Sequence, residues 1–258
     1  MNKLGILVAV MLALAGQAPA APVRHLVYAF ATYPTAKPSG DYFDGTLTID
    51  VLGPAPDGGE VVQATDWWYY TLRSRQTRQC EIYPDGSVHW DEVPPYPSDA
   101  QRVLLPLLAA DFFTPGVSGL TSWQQKFALS FAKGLFVTSA SMQLSATPQG
   151  SRLNVDSHAV FQQLDRRQRK VVERSQIVYD RTLGMPVVVH DLRGPLPTES
   201  IYSQTSVDLQ LVEDSAAGTN SAHLQRLGQV RFQVHGFPSD ARQPADVFQN
   251  LGHSNVST

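Results

Sequence analysis

Gly45-Thr46-Leu47-Thr48-Ile49-Asp50-Val51-Leu52 decides the fold class. Leu47, Ile49 and Val51 alternate with Thr46, Thr48 and Asp50. Successive strand side chains point to opposite faces, so aliphatic groups fall on one side and hydroxyls and a carboxylate on the other. The β-branched residues in the run suit a half-buried pleated surface.

The same period of two recurs outward in both directions. Leu26, Tyr28 and Phe30 share one side of the segment before this one. A Pro/Gly-rich turn at Gly53–Gly59 leads into a long predicted strand from Val61 to about Arg73. Pro84-Asp85-Gly86 predicts a hairpin joining Arg78–Tyr83 to Ser87–Asp91, because Pro presets φ and Asp-Gly supplies a positive φ. Trp123, Gln125, Phe127, Leu129 and Phe131 alternate, as do Phe136, Thr138, Ala140, Met142 and Leu144. Leu153, Val155, Ser157, Ala159 and Phe161 share a face. Val171–Tyr179, Met185–Leu192 and Ile201–Leu211 read as three more strands, and Leu227–His235 as a last candidate.

One segment has a different period. Ser98-Asp99-Ala100-Gln101 fits a capping box, in which the Ser hydroxyl takes a backbone N–H and the Gln side chain reaches back. Val103, Leu104, Leu107, Leu108 and Ala110–Phe112 give the helix a broad apolar face. Pro106 should kink it or end it early. The expected fold is mainly β: a large curled antiparallel meander, half-barrel or barrel, with one covering α-helix near 98–113. About ten to twelve strands cannot stay flat, and the helix needs an apolar surface such as the concave side or an open mouth.

A resemblance enters on the late strands. Val178-Tyr179-Asp180 and Gly184-Met185-Pro186, carried on such a meander, resemble bacterial periplasmic half-β-barrel proteins of the lipoprotein-carrier type over residues 120–212. The resemblance implies a curved sheet that holds acyl chains against a helical lid. It transfers no functional residue, and the first block of strands departs from it.

The chain ends carry the other organisational signals. Lys3, the apolar run Leu4–Ala15 and the small-x-small Ala18-Pro19-Ala20 predict a cleaved signal peptide over residues 1–20. No Cys follows that site to accept a lipid, so the expected product is released into the periplasm or beyond. Residues 21–236 read as one β-rich domain and 237–258 as a mobile tail.

Composition excludes several chemistries. The 20 Lys and Arg against 23 Asp and Glu give a net charge of −3, which argues against nucleic acid as a partner. Cys80 is the only cysteine. It forms no internal disulfide, supports no thiolate zinc site, and reads as a buried small hydrophobe. None of the seven histidines has H-x-H or H-E-x-x-H spacing, so no metal site is expected. Gly116-Val117-Ser118-Gly119 is not a nucleophile elbow, and neither a P-loop nor a dinucleotide fingerprint is present. No catalytic residue and no cofactor is assigned. Asp41, Asp44, Glu81 and Glu92 could pair in space as hydrolase acids, which leaves that reading open.

Two features point to a ligand. Trp67-Trp68-Tyr69-Tyr70 puts aromatics on both faces of a strand, and Phe127, Leu129, Phe131, Phe136 and Met142 could line the same cavity. The same residues serve equally as ordinary core. Arg166, Arg167, Arg169 and Lys170 form a basic patch that could meet an anionic headgroup or a membrane surface, or simply solvate a hairpin end. The expected function is a non-enzymatic binding protein for an apolar or lipid-like molecule. The alternative is a scaffold with a dry core. A protein partner is not assigned.

Overall fold

The computed structural model describes residues 22–34, 43–68, 75–91, 97–131, 134, 136–163, 170–195 and 205–215. The expected leader, the C-terminal tail and the Leu227–His235 strand lie outside the described residues.

Eleven strands close into one barrel: β1 (Arg24–Pro34), β2 (Phe43–Pro54), β3 (Glu60–Trp68), β4 (Arg75–Ile82), β5 (Val88–Trp90), β6 (Ser122–Phe131), β7 (Phe136–Gln149), β8 (Arg152–Gln163), β9 (Lys170–Asp180), β10 (Met185–Pro195) and β11 (Thr205–Asp214). The half-barrel alternative is thereby corrected. β1 pairs along its length with both β2 and β11, so neither end of the sheet is left as an edge. Closure satisfies the backbone groups that an open edge would expose.

The predicted alternation sets the inner face. Leu47 and Ile49 of β2, Val62 and Ala64 of β3, and Leu153, Val155, Ala159 and Phe161 of β8 are buried in the core. Each large aliphatic or aromatic side chain buried this way contributes roughly 1.5–3 kcal/mol. The Pro84-Asp85-Gly86 hairpin is present: Gly86 holds φ +94°, its N–H donates to the Tyr83 carbonyl (2.9 Å), and the Asp85 carboxylate accepts from the Ser87 N–H (2.8 Å).

Two expectations change. The meander is interrupted by one parallel pair, β5 with β6, through the register Val88–Leu129 to Trp90–Phe131. A parallel neighbour needs a crossover connection, and residues 91–121 supply it. The helix they carry, α1 (Asp99–Leu107), is shorter than the expected 98–113 and includes Pro106. Pro106 brings no N–H to the last turn, and the chain leaves it through tight turns into a short helix α2 (Thr114–Val117). The capping box is half formed. Ser98 Oγ accepts from the Gln101 N–H (3.1 Å), but the Gln101 side chain turns to β3 instead of reaching back.

The helix also does more than cover a mouth: it occupies the lumen. Ala100, Gln101 and every residue from Val103 to Leu107 are buried, and only Asp99 and Arg102 in the first turns stay part-exposed. A helix apolar and buried over most of its circumference is enclosed. It packs against β10, β11 and β1, whose inward residues include Val189, Leu209, Leu211 and Phe30. Beyond its C-terminus, Phe112 and Phe113 close that end. Phe112 meets Phe127 at 5.7 Å between centroids, Phe113 meets Tyr179 at 4.6 Å, and Trp123 Nε1–H donates to the Phe112 carbonyl (3.2 Å).

Candidate functional site

The inner wall is apolar except near the N-terminal end of α1, where two polar groups hold the helix. The first is on β3 and β4. Asp66 follows Val62 and Ala64 on the inward parity, so a carboxylate stands where the pattern calls for an aliphatic group. It is fully buried. Its Oδ1 accepts from Ser98 Oγ (2.9 Å) and its Oδ2 from Gln101 Nε2 (2.7 Å), while Arg78 Nη1 stands 3.5 Å away. Burial pushes the Asp66 carboxyl up to about 6, against the opposing pulls of the Ser98 hydrogen bond and the Arg78 charge. Burial likewise lowers the Arg78 pKa.

The second group is on β9 and β10. Arg193 Nη1 donates to Asp99 Oδ1 in the first turn of α1 (3.1 Å), and the same guanidinium pairs with Glu173. Arg102 of α1 also pairs with Asp99. Burial lowers Arg102 to about 10, with the nearby Arg193 charge adding to the effect. Two rungs deeper, Ser175 Oγ donates to Asp191 Oδ1 (2.6 Å). Burial raises the Asp191 carboxyl well above the carboxylate range, and the charge of Glu173 raises it further.

Together these two groups form a charged collar around the first turns of α1. Asp66, Glu173 and Asp191 are buried ones among its carboxylates, and Arg78, Arg102 and Arg193 its cations. Of the carboxylates proposed from sequence as hydrolase acids, Asp41, Glu92 and the side chain of Asp44 lie outside the described residues, and Glu81 does not belong to the collar. Glu81 lies instead on the outer side of β4, where it accepts from Tyr83 OH (3.0 Å) beside Asp57 (2.5 Å). A cleft of about 570 Å³, lined by Tyr83, Pro84, Asp85, Ser87, Asp111 and Gln125, opens at the opposite end of the barrel. The collar's raised carboxyls do not face it.

The aromatic candidates divide. Phe127, Leu129 and Met142 are buried core residues, and Phe127 also packs on Phe161 at 5.8 Å. Phe131 stacks on Trp90 at 4.9 Å. Trp68 sits at the inner rim against Phe30 (4.8 Å), whereas Trp67 points outward and is 39% exposed. The two tryptophans therefore do not share a surface. Tyr69, Tyr70, Arg166, Arg167 and Arg169 lie outside the described residues, as do the side chains of Phe136 and Lys170. His190 faces away from its neighbour Asp191, as alternation requires, and pairs instead with Asp208 on β11. Among the described residues no group of three His, Cys, Asp or Glu is placed to hold a metal.

Comparison with known proteins adds little to this geometry. No protein-family model and no curated protein matches the chain. A solved structure, a beta-barrel-like protein of the domain of unknown function DUF1849 from Brucella abortus, is similar at 10% identity with a TM-score of 0.28, covering 76% of this chain and 98% of that one. No residue or role is carried over from it.

Proposed function

We propose that this protein is a non-enzymatic binding barrel for an amphipathic, lipid-like molecule, and that α1 is a displaceable plug standing in the ligand's place. The observation that carries the reading is the charged collar. A helix meant only to fill a core is held most stably by apolar side chains, because desolvating charges offsets much of their attraction. Ion pairs and polar contacts at one end, over an otherwise apolar lumen, suit an element that leaves and returns. Water can take over the collar's hydrogen bonds when α1 moves out, and an acyl chain can take over its apolar contacts with Phe30, Val189, Leu209 and Leu211.

Export by the leader at 1–20 belongs to this proposal, and so does a role for Arg166, Arg167, Arg169 and Lys170 in meeting a membrane surface. The test is native mass spectrometry of the protein isolated from its own cell envelope. The reading expects a copurifying lipid mass that organic extraction removes. A ligand-free protein that also fails to take up acyl probes would overturn it.

The second reading, a scaffold with a permanently dry core, is favoured by one observation: Leu104, Leu105, Phe112 and Phe30 are already completely buried. It expects α1 to stay in the lumen until the whole barrel unfolds.

A further inference from the structure

The cross-strand register aligns Ser157 of β8, Ser175 of β9, Asp191 of β10, Val207 of β11 and Thr32 of β1 in a single inward-facing row. Four of the five are polar, and the row lies between the collar row of Glu173 and Arg193 and the apolar row of Val155, Ile177, Val189, Leu209 and Phe30. Three of these four keep an atom without a hydrogen-bond partner: Ser157 Oγ, Asp191 Oδ2 and Thr32 Oγ1. Their residues are 7%, 1% and 7% exposed. Buried polar atoms are nearly always paired, so three orphans in one row call for an explanation.

We infer that this row is the seat of the ligand's head group, and that it takes an uncharged head bearing several oxygens, such as a glycerol ester. The inference rests on the binding reading above. The chemistry follows from what faces the row. Arg193 is matched by Glu173, and Arg102 by Asp99, so the collar above offers no net positive charge to a carboxylate or phosphate. Asp191 is surrounded by Glu173 and Ser175 of β9, Arg193 of β10, Asp208 of β11 and Arg102 of α1. Its buried carboxyl favours the neutral acid, and with Oδ1 accepting from Ser175, Oδ2 is left to donate. Ser157 and Thr32 hydroxyls both donate and accept. Ser157 and Asp191 stand two strands apart, roughly 10 Å at ordinary strand spacing. A single hydroxyl cannot reach both, whereas an ester linked to a diol can.

The experiment uses the full-length protein and three probes of equal chain length: a monoacylglycerol, the fatty acid and the fatty alcohol. Binding is compared in the parent protein, Ser157→Ala, Thr32→Val and the double variant. Thr32→Val conserves shape and Ser157→Ala removes a single atom; each deletes an unpaired buried hydroxyl, so thermal stability should change little. The expected result is at least tenfold preference of the parent for the monoacylglycerol over the other two probes, lost in the double variant. Equal affinity for all three probes, or an unchanged preference in the double variant, would overturn the head-group assignment and leave the binding reading standing. Failure of the parent to bind any probe would overturn both.

Discussion

Arg193 Nη1 on the barrel wall lies 3.1 Å from Asp99 Oδ1 in the first turn of the lumenal helix, and the same guanidinium neutralises the buried Glu173. One side chain thus ties the plug to the wall and balances a charge that has no access to water. Arg193→Met should therefore cost far more than a surface ion pair, about 3–5 kcal/mol, because it strands Glu173 in the interior. Adding Glu173→Gln should recover most of the loss. Urea unfolding of the two single variants and the double variant gives the coupling directly. Additive losses would show that the pair does not act as a unit.

On the other side of the helix, Asp66 sets a pH dependence. Its folded-state pKa is raised to about 6 from 3.8. A raised carboxyl pKa contributes stability that is fully present below the unfolded value near 4 and is lost as pH rises through 6. Asp66→Asn removes that loss. The variant should gain on the order of 2–3 kcal/mol relative to the parent between pH 4 and pH 7.5. Urea midpoints at the two pH values check this, and parallel behaviour of the two proteins would count against it.

The far end of the helix rests on a glycine. A Cβ on Gly86 would stand 2.6 Å from the Phe112 ring and 3.2 Å from the Pro106 carbonyl oxygen, at a φ of +94°. Gly86→Ala should destabilise by about 2–4 kcal/mol, from overpacking plus the strained backbone. A fall in thermal midpoint of several degrees is expected. A neutral result would mean that the Phe112 seal is not held against the hairpin.

The strands were legible where one face is aliphatic and the other polar, as at Gly45–Leu52 and Leu153–Phe161, because period-two alternation is a local property. Closure was not, since the pairing of β1 with β11 joins segments some 180 residues apart, and nothing in Arg24–Pro34 names its second partner. The helix start at Ser98 was local and readable. Its position inside the barrel was not, because an apolar face specifies burial without specifying the surface that buries it. The collar had a signal that alternation contained: Asp66 shares parity with Val62 and Ala64, and Asp191 with Val189. A carboxylate on the aliphatic side of a strand marks a buried charge awaiting a partner. Which arginine answers it is a tertiary fact.

Cys80 offers the most direct test of the displaceable plug. The thiol is the only one in the chain, faces the lumen two residues beyond Arg78, and is 2% exposed. Burial pushes its pKa up to about 12, so it stays unreactive while the lumen is filled. Native-state labelling of Cys80 with a thiol reagent, across a urea series below the unfolding transition, separates local from global opening. A helix that leaves the lumen predicts labelling through a low-energy opening with little urea dependence, suppressed by a bound acyl ligand. Labelling that follows global unfolding in both free energy and urea dependence would contradict the account.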